Sequence, residues 1–335
     1  MKNYIITIDT GTTNTRTMLW DENRQLIATA KSAVGVRNTA IDGNNQKLKS
    51  AVKECLESLL NQGGITYDQV KRVIASGMIT SNVGLVEIPH LVVPAGVDDL
   101  AQATQPVLLE DICPLPIYFI PGVKNSAGPI TLDNLEGMDI MRGEEVESVA
   151  ILEELFEGKP MLLVLPGSHT KFISVDSQGR MTGCLTSITG ELLASITNDT
   201  IIADAVGRKF VETETYDKEM TLLGFQTAQR SGLGRTCFSG RILNQFVTKD
   251  TSKVGNFILG AALQSDVMAV KNSSALTTGR DTHVVVGGKN PLRQAIYDIL
   301  VEDGYFADVQ QFEPDGNMPL SPLGAYIIAG KSNIL

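Results

Sequence analysis

The chain has 335 residues with 28 Lys and Arg against 38 Asp and Glu, a formal charge of −10, and 43% hydrophobic residues. That length exceeds what one hydrophobic core supports, so two domains are expected, and the acidic balance argues against a general nucleic-acid binder. No run approaches the roughly 18 uninterrupted apolar residues of a membrane helix, and the N-terminus enters a strand directly rather than a signal segment. The four scattered cysteines, Cys55, Cys113, Cys184 and Cys237, form no C-x-x-C pair, so a cytoplasmic protein with reduced structural thiols is expected.

Residues 5–20 read IITIDTGTTNTRTMLW: an apolar strand ending in Asp9, a Gly/Thr turn, and an alternating strand carrying Arg16. A related pattern returns half a chain later, where residues 161–176 read MLLVLPGSHTKFISVD with a Gly167-Ser168 turn and Lys171. The chain therefore reads as two related halves, 1–157 and 158–335, divided at the break from Gly158 to Pro160. The chemistry that suits such turns is nucleotide phosphate binding. Glycine admits backbone amides close to an anion, and successive turn amides form a concave anion site. Gly11, Thr12, Thr13, Gly167 and Ser168 are the candidate turn residues, with positive charge from Arg16 and Lys171. Asp9 is the candidate Mg²⁺ ligand, acting through water because that ion keeps several of its waters. Two ordinary hairpins would read the same way one at a time; the duplication favours the phosphate site.

In order along the chain, a third strand is expected over Gln25–Ser32. An amphipathic helix follows over Asn44–Asn61, with Leu48, Val52, Cys55, Leu56, Leu59 and Leu60 on one face. Val70–Ser76 is a buried strand leading into GMITSNVG, a loop placed where open α/β sheets make ligand contacts. Ser81 and Asn82 there either bond sugar hydroxyls or simply cap a turn. Ile117–Ile120 is a further strand. Residues 139–155, DIMRGEEVESVAILEEL, are a turn and then a helix beginning at Glu144. Glu144 and Glu145 either stabilise that helix start or place a general base at the mouth of the cleft. Thr189-Gly190-Glu191 either lines the cleft or caps the next helix. Val254–Val270 is a tightly packed helix whose Gly260, Ala261 and Ala262 admit a close neighbour. His283–Lys289 is a strand stopping at Gly287-Gly288, where an adenine ring can lie against backbone. His169 either touches phosphate or is a bonded turn residue. A final helix over Pro322–Ile334 is expected to cross back toward the first half. No P-loop, protein-kinase, zinc or serine-hydrolase motif is present.

The segments IDTGTTNTR, GMITSNVG, DIMRGEEVE, LPGSHTKF, TGELL and VVGG, in this order over nearly the whole chain, resemble the 2-dehydro-3-deoxygalactonokinase family within the actin–hexokinase superfamily. Ser168 and Thr170 stand where other small residues or Cys are usual, Phe172 replaces a Trp, and the tail from Asn317 to Leu335 starts more polar. The resemblance implies a two-lobed α/β fold, actin/hexokinase-like (ribonuclease H-like), with duplicated domains and an interlobe cleft. It implies phosphorylation, by ATP with Mg²⁺, of the C6 hydroxyl of 2-dehydro-3-deoxy-D-galactonate in galactonate catabolism. Gly143-Glu144-Glu145 is similar in place to the Gly-Asp-Gln turn of related kinases, which makes Glu144 the candidate base and Glu145 its substitute. Arg142 is the candidate partner of the substrate carboxylate, with Gly143, Thr189 and Glu191 beside it. Small-molecule partners are implied, with no nucleic acid and no membrane; a homodimer, an epimeric substrate and a nucleotide-gated regulator of the same fold stay open.

Overall fold

The computed structural model describes residues 3–314 and 318–331. The chain opens as an antiparallel meander of β1 (Tyr4–Thr10), β2 (Thr15–Trp20) and β3 (Leu26–Ser32). Helices α1 (Val36–Asp42) and α2 (Gln46–Gly63) then lead to β4 (Val70–Gly77), which lies parallel to β1. Short pieces follow: β5 (Leu91–Val92), α3 (Val97–Ala103), β6 (Gln105–Val107), β7 (Ile117–Phe119), β8 (Val123–Lys124) and β9 (Ile140–Met141). Helix α4 (Glu144–Leu155) precedes a second meander, β10 (Met161–Leu165), β11 (Thr170–Val175) and β12 (Met181–Ser187). Helices α5 (Thr189–Asp199), α6 (Lys218–Phe246) and α7 (Thr251–Asn272) separate it from β13 (His283–Val286), parallel to β10. Helix α8 (Leu292–Asp303), β14 (Asp308–Gln311) and α9 (Leu320–Ala329) complete the described chain.

The two large sheets run β3-β2-β1-β4-β7-β6 and β12-β11-β10-β13-β14, each a meander continued by two parallel strands, with β6 added antiparallel at the edge of the first. The expected two-lobed, duplicated α/β architecture is the observed one. Its layering follows from the pleat, which sends alternate side chains to opposite faces. Ile6, Ile8, Val73 and Ala75 pack with Leu48, Val52, Leu56 and Leu59 of α2 on the outer face of the first sheet. Leu162, Val164, Val284 and Val286 pack with α7 and α8 on the outer face of the second. The inner faces share one core, in which Ile74 meets Leu163, Leu165 and Val285 through Val146, Val149 and Ile151 of α4 and Ala325, Ile327 and Ile328 of α9. Two helices are thus held between two sheets.

Helix α9 does cross back to the first sheet. Tyr326 sets its ring 5.5 Å from that of Trp20 and donates to the Asp21 carbonyl at 3.0 Å. Arg72 donates to the Ala329 carbonyl. The expected span of this helix, Pro322–Ile334, ends among residues 332–335, and the polar start of the tail at Asn317 also lies outside the described residues. Helix α6 has no clear periodicity in the sequence because glycines and hydroxyl residues interrupt it, and Gly232, at φ 76°, breaks its regular course. Gly224 of α6 and Gly260 of α7 serve packing. A Cβ on Gly224 would collide with the Phe257 carbonyl, and one on Gly260 with the Thr221 carbonyl. The expected close neighbour of Gly260 is therefore α6.

The same device fixes α9 on α4, since a Cβ on Gly324 would strike the Val146 carbonyl oxygen. Overpacking of this kind typically costs about 1–3 kcal/mol. Gly324→Ala is expected to lower the unfolding free energy by that amount, read as a lower chemical denaturation midpoint at unchanged slope; an unchanged midpoint would show that the two helices separate freely.

Candidate active site

Both expected phosphate turns present backbone to solvent and are braced from beneath by a helix start. In the first, Gly11 N–H donates to the Asn14 carbonyl at 2.9 Å, and Thr12 and Thr13 are exposed. Val36 N–H donates to the Gly11 carbonyl at 3.2 Å and Arg37 N–H to the Thr12 carbonyl at 2.9 Å. Gly35 allows this approach, since a Cβ there would press on the Thr12 carbonyl. In the second, Ser168 and His169 are exposed, Gly190 lies directly against Gly167, and Glu191 N–H donates to the Ser168 carbonyl at 3.1 Å. Glycine is used here for close approach, not for positive φ: neither Gly11 nor Gly167 has one.

Asp9 ends β1 on the inner face, opposite Arg16 across the hairpin and beside Ser76 of β4. Beyond it Gly77, at φ 82°, and Gly143, at φ 118°, lie close to each other, the second as N-cap of α4. Asp9 and Arg16 border a cavity of about 570 Å³ in which they and Glu147 face Gly288, Lys289 and Arg293 of the second half, with Ser321 of α9 in the wall. A neighbouring hollow of about 480 Å³, lined by Tyr216, Lys218 and Asp298, shares Thr213 and Asn290 with it. Of the residues singled out in the sequence, Asp9, Arg16 and Gly288 border the main cavity; Gly287 stops short, its N–H continuing the ladder to the Val164 carbonyl at 2.9 Å.

Glu147 is the residue that sequence reasoning passed over. It stands one helical turn after Glu144, and that i, i+3 spacing was the available signal. Burial pushes its carboxyl up to about 8, helped by the charges of Glu144 and Asp9 and opposed by Arg16. Burial also raises Asp9, against the Ser321 hydroxyl and Arg16, with Glu144 adding to the rise. Ser321 was invisible for another reason: only the return of α9 brings it here.

Several expectations are corrected by geometry. Glu145 is fully buried and both its oxygens accept from Gly143 N–H, at 2.8 and 2.9 Å, so it caps the helix rather than facing the cleft. Burial and the Glu144 charge raise it to about 8. Glu144 is half-buried, with one oxygen accepting from Arg142 N–H at 3.1 Å. Arg142 donates to the Thr80 hydroxyl at 2.6 Å and the Ile88 carbonyl at 2.7 Å, with His90 Nδ1 at 3.4 Å. Its fork clamps the 78–90 loop, where a free substrate clamp was expected. Lys171 is buried and donates to the Ile140 carbonyl at 2.6 Å and to Thr186, with Asp139 at 3.8 Å, so its charge is spent inside the protein, tying β11 to the 139–140 segment. Ser81 turns inward to the Met78 carbonyl at 2.7 Å, while Asn82 stays exposed. Thr189 is buried against Asp266, and Glu191 pairs with His169 at 2.9 Å.

Of the carboxylates lining the cavity Glu313 pairs with Arg293 at 3.0 Å, and the other two, Asp9 and Glu147, are hard oxygen donors whose like charges and burial favour a bound cation, which suits Mg²⁺. No cluster of three or more His, Cys, Asp or Glu arranged for a metal occurs among the described residues. Glu147 holds its proton more tightly folded than unfolded. Its contribution to stability is therefore complete below the ordinary value of 4.5 and is lost as pH rises through about 8. Between pH 5 and 8 the thermal midpoint is expected to fall, and Glu147→Gln to flatten that fall and raise the midpoint at pH 8. A slope identical to wild type would place the titration elsewhere.

A family model described as 2-keto-3-deoxy-galactonokinase matches residues 9–313. The chain is 27% identical over 187 residues to the 2-dehydro-3-deoxygalactonokinase of Escherichia coli (strain K12), a match covering 50% of this chain and 58% of that protein. It also superposes on the crystal structure of a candidate 2-dehydro-3-deoxygalactonokinase from Sinorhizobium meliloti with a TM-score of 0.75 at 20% identity. That superposition covers 97% of this chain and 98% of the other, and shows a common fold. No described helix is long and apolar enough to cross a membrane. The family match spans both turns, the Glu144 helix and the Gly287-Gly288 strand end, and the chain belongs to the 2-keto-3-deoxy-galactonokinase family.

Proposed function

We propose that the protein transfers the γ-phosphoryl group of ATP to the C6 hydroxyl of 2-dehydro-3-deoxy-D-galactonate. The observation that carries this reading is the inner cavity, where Asp9 of β1 and Glu147 of α4, the helix that Glu144 opens, oppose the Gly288 turn of the other half. The reading takes residues 1–157 and 158–335 as two lobes, the first with the sugar acid and the second with the adenosine, α9 docking back onto the first. It also places the protein in the cytoplasm.

Phosphoryl transfer depends on positioning and charge neutralisation more than on covalent chemistry. In this reading the 11–13 and 167–168 turns hold phosphate oxygens through their amides, and Arg16 adds a positive charge. Asp9 and Glu147 would hold Mg²⁺, which when bound neutralises charge on the nucleotide. Glu144 accepts the proton of the attacking hydroxyl, because it is the helix-start carboxylate that is not sealed in a cap. Arg142 sets the loop from which Asn82 reaches the sugar acid. Closure of the lobes excludes water and limits futile ATP hydrolysis.

The test is ADP release with Mg-ATP against a panel of 2-keto-3-deoxy sugar acids, together with ATP affinity. Glu144→Gln is expected to slow sugar-acid-dependent turnover by roughly 10²–10⁴-fold while ATP binding persists. Turnover that survives the substitution would move the base elsewhere, and ATP binding that no sugar acid stimulates would overturn the substrate class.

A further inference from the structure

Deep in the second half, Asp266 of α7 is only 1% exposed. It accepts hydrogen bonds from the hydroxyls of Ser187, the last residue of β12, and Thr189, the first of α5; those two hydroxyls are 2.6 Å apart. Thr170, buried at the start of β11, turns its hydroxyl toward the same carboxylate. The second oxygen, Oδ2, is buried and has no partner among the described residues. A carboxylate kept so far from water, with one oxygen unsatisfied, is costly to the fold. Its placement points to a use.

The contacts that radiate from it all end at one place. Thr189 begins the helix whose Gly190 lies against Gly167 and whose Glu191 N–H holds the Ser168 carbonyl at 3.1 Å. Thr170 follows that turn directly in the chain. We propose that Asp266 is the positioning residue of the second phosphate turn, gripping Ser187 and Thr189 so that the start of α5 sets the Gly167-Ser168 backbone for the nucleotide. The inference rests on the kinase reading for its ligand but not for its geometry. The first turn is braced by a neutral contact instead: the Thr15 hydroxyl donates to the Val34 carbonyl at 2.9 Å, just ahead of Gly35. The carboxylate is therefore an asymmetric addition to an otherwise repeated device. It also reassigns Thr189, a buried link in this brace rather than a group that meets the sugar acid.

The experiment compares wild type, Asp266→Ala and Asp266→Asn by amide hydrogen exchange and by kinetics with ATP and the sugar acid. In Asp266→Ala, exchange is expected to speed up at residues 167–170 and 189–191 and to stay unchanged at 11–14, and KM for ATP to rise at least about tenfold, the scale of a lost hydrogen bond to a charged group. KM for the sugar acid should hold, and Asp266→Asn, which keeps an acceptor oxygen, should recover most of the ATP effect. Unaltered exchange at 167–170, or a loss of stability with equal effects on both KM values, would overturn the proposal. Faster exchange confined to the second turn, in a protein whose wild type binds no ATP, would support the brace and remove the kinase reading.

Discussion

The inner cavity depends on a backbone contact between two buried helices. At Gly324 α9 approaches the Val146 carbonyl of α4 with no room for a methyl group, and both helices lie between the two sheets. That contact sets the separation of the sheets and the height at which Glu144, Glu147 and Ser321 meet the end of β1. Because interiors are packed as densely as crystals, such a contact transmits position with little slack. The inner core joins residues from both halves, so the duplicated halves are one packed object here and not two beads on a linker.

Charge is the second constraint. The charges of Glu144 and Asp9 raise the proton affinity of Glu147, and that of Glu144 raises Asp9, in a desolvated space where Arg16 is the opposing charge. Such a cluster repels an anionic ligand unless cations accompany it, which fits a nucleotide arriving with its metal. The basic groups near it are divided by use. Arg16, Lys289 and Arg293 border the cavity, whereas Lys171 and Arg142 are consumed inside the protein, one holding Ile140 and Thr186 and the other the 78–90 loop. Fixed charges that anchor loops shape a site without touching its ligand.

The two turns illustrate how far a repeated motif goes. Each is a hairpin end resting on the first residues of a helix, with a glycine, Gly35 or Gly190, at the point of contact. Their bracing differs, by a hydroxyl to Val34 in one and a buried carboxylate in the other. Repetition of the fold therefore does not imply repetition of its supports.

Much of this was legible in the chain alone. The apolar runs before the two turns and the alternating strands after them, the amphipathic face of Leu48 to Leu60 and the helix start at Glu144 all came from local pattern. Local pattern records which face of an element is apolar, and the pleat and the helical turn convert that into layers. The fate of each polar side chain is different, because a hydroxyl, amine or carboxylate takes whichever partner the packed structure brings near. Lys171, Arg142, Glu145 and Thr189 look like ligand groups in sequence and are bonded internally in the fold, while Glu147 and Ser321 reach the cavity through a helical turn and a distant helix. The duplicated hairpins and their exposed turns are thus written in the sequence, whereas the choice of which charges stay free is made by tertiary contacts, since only those contacts determine what each buried polar group must satisfy.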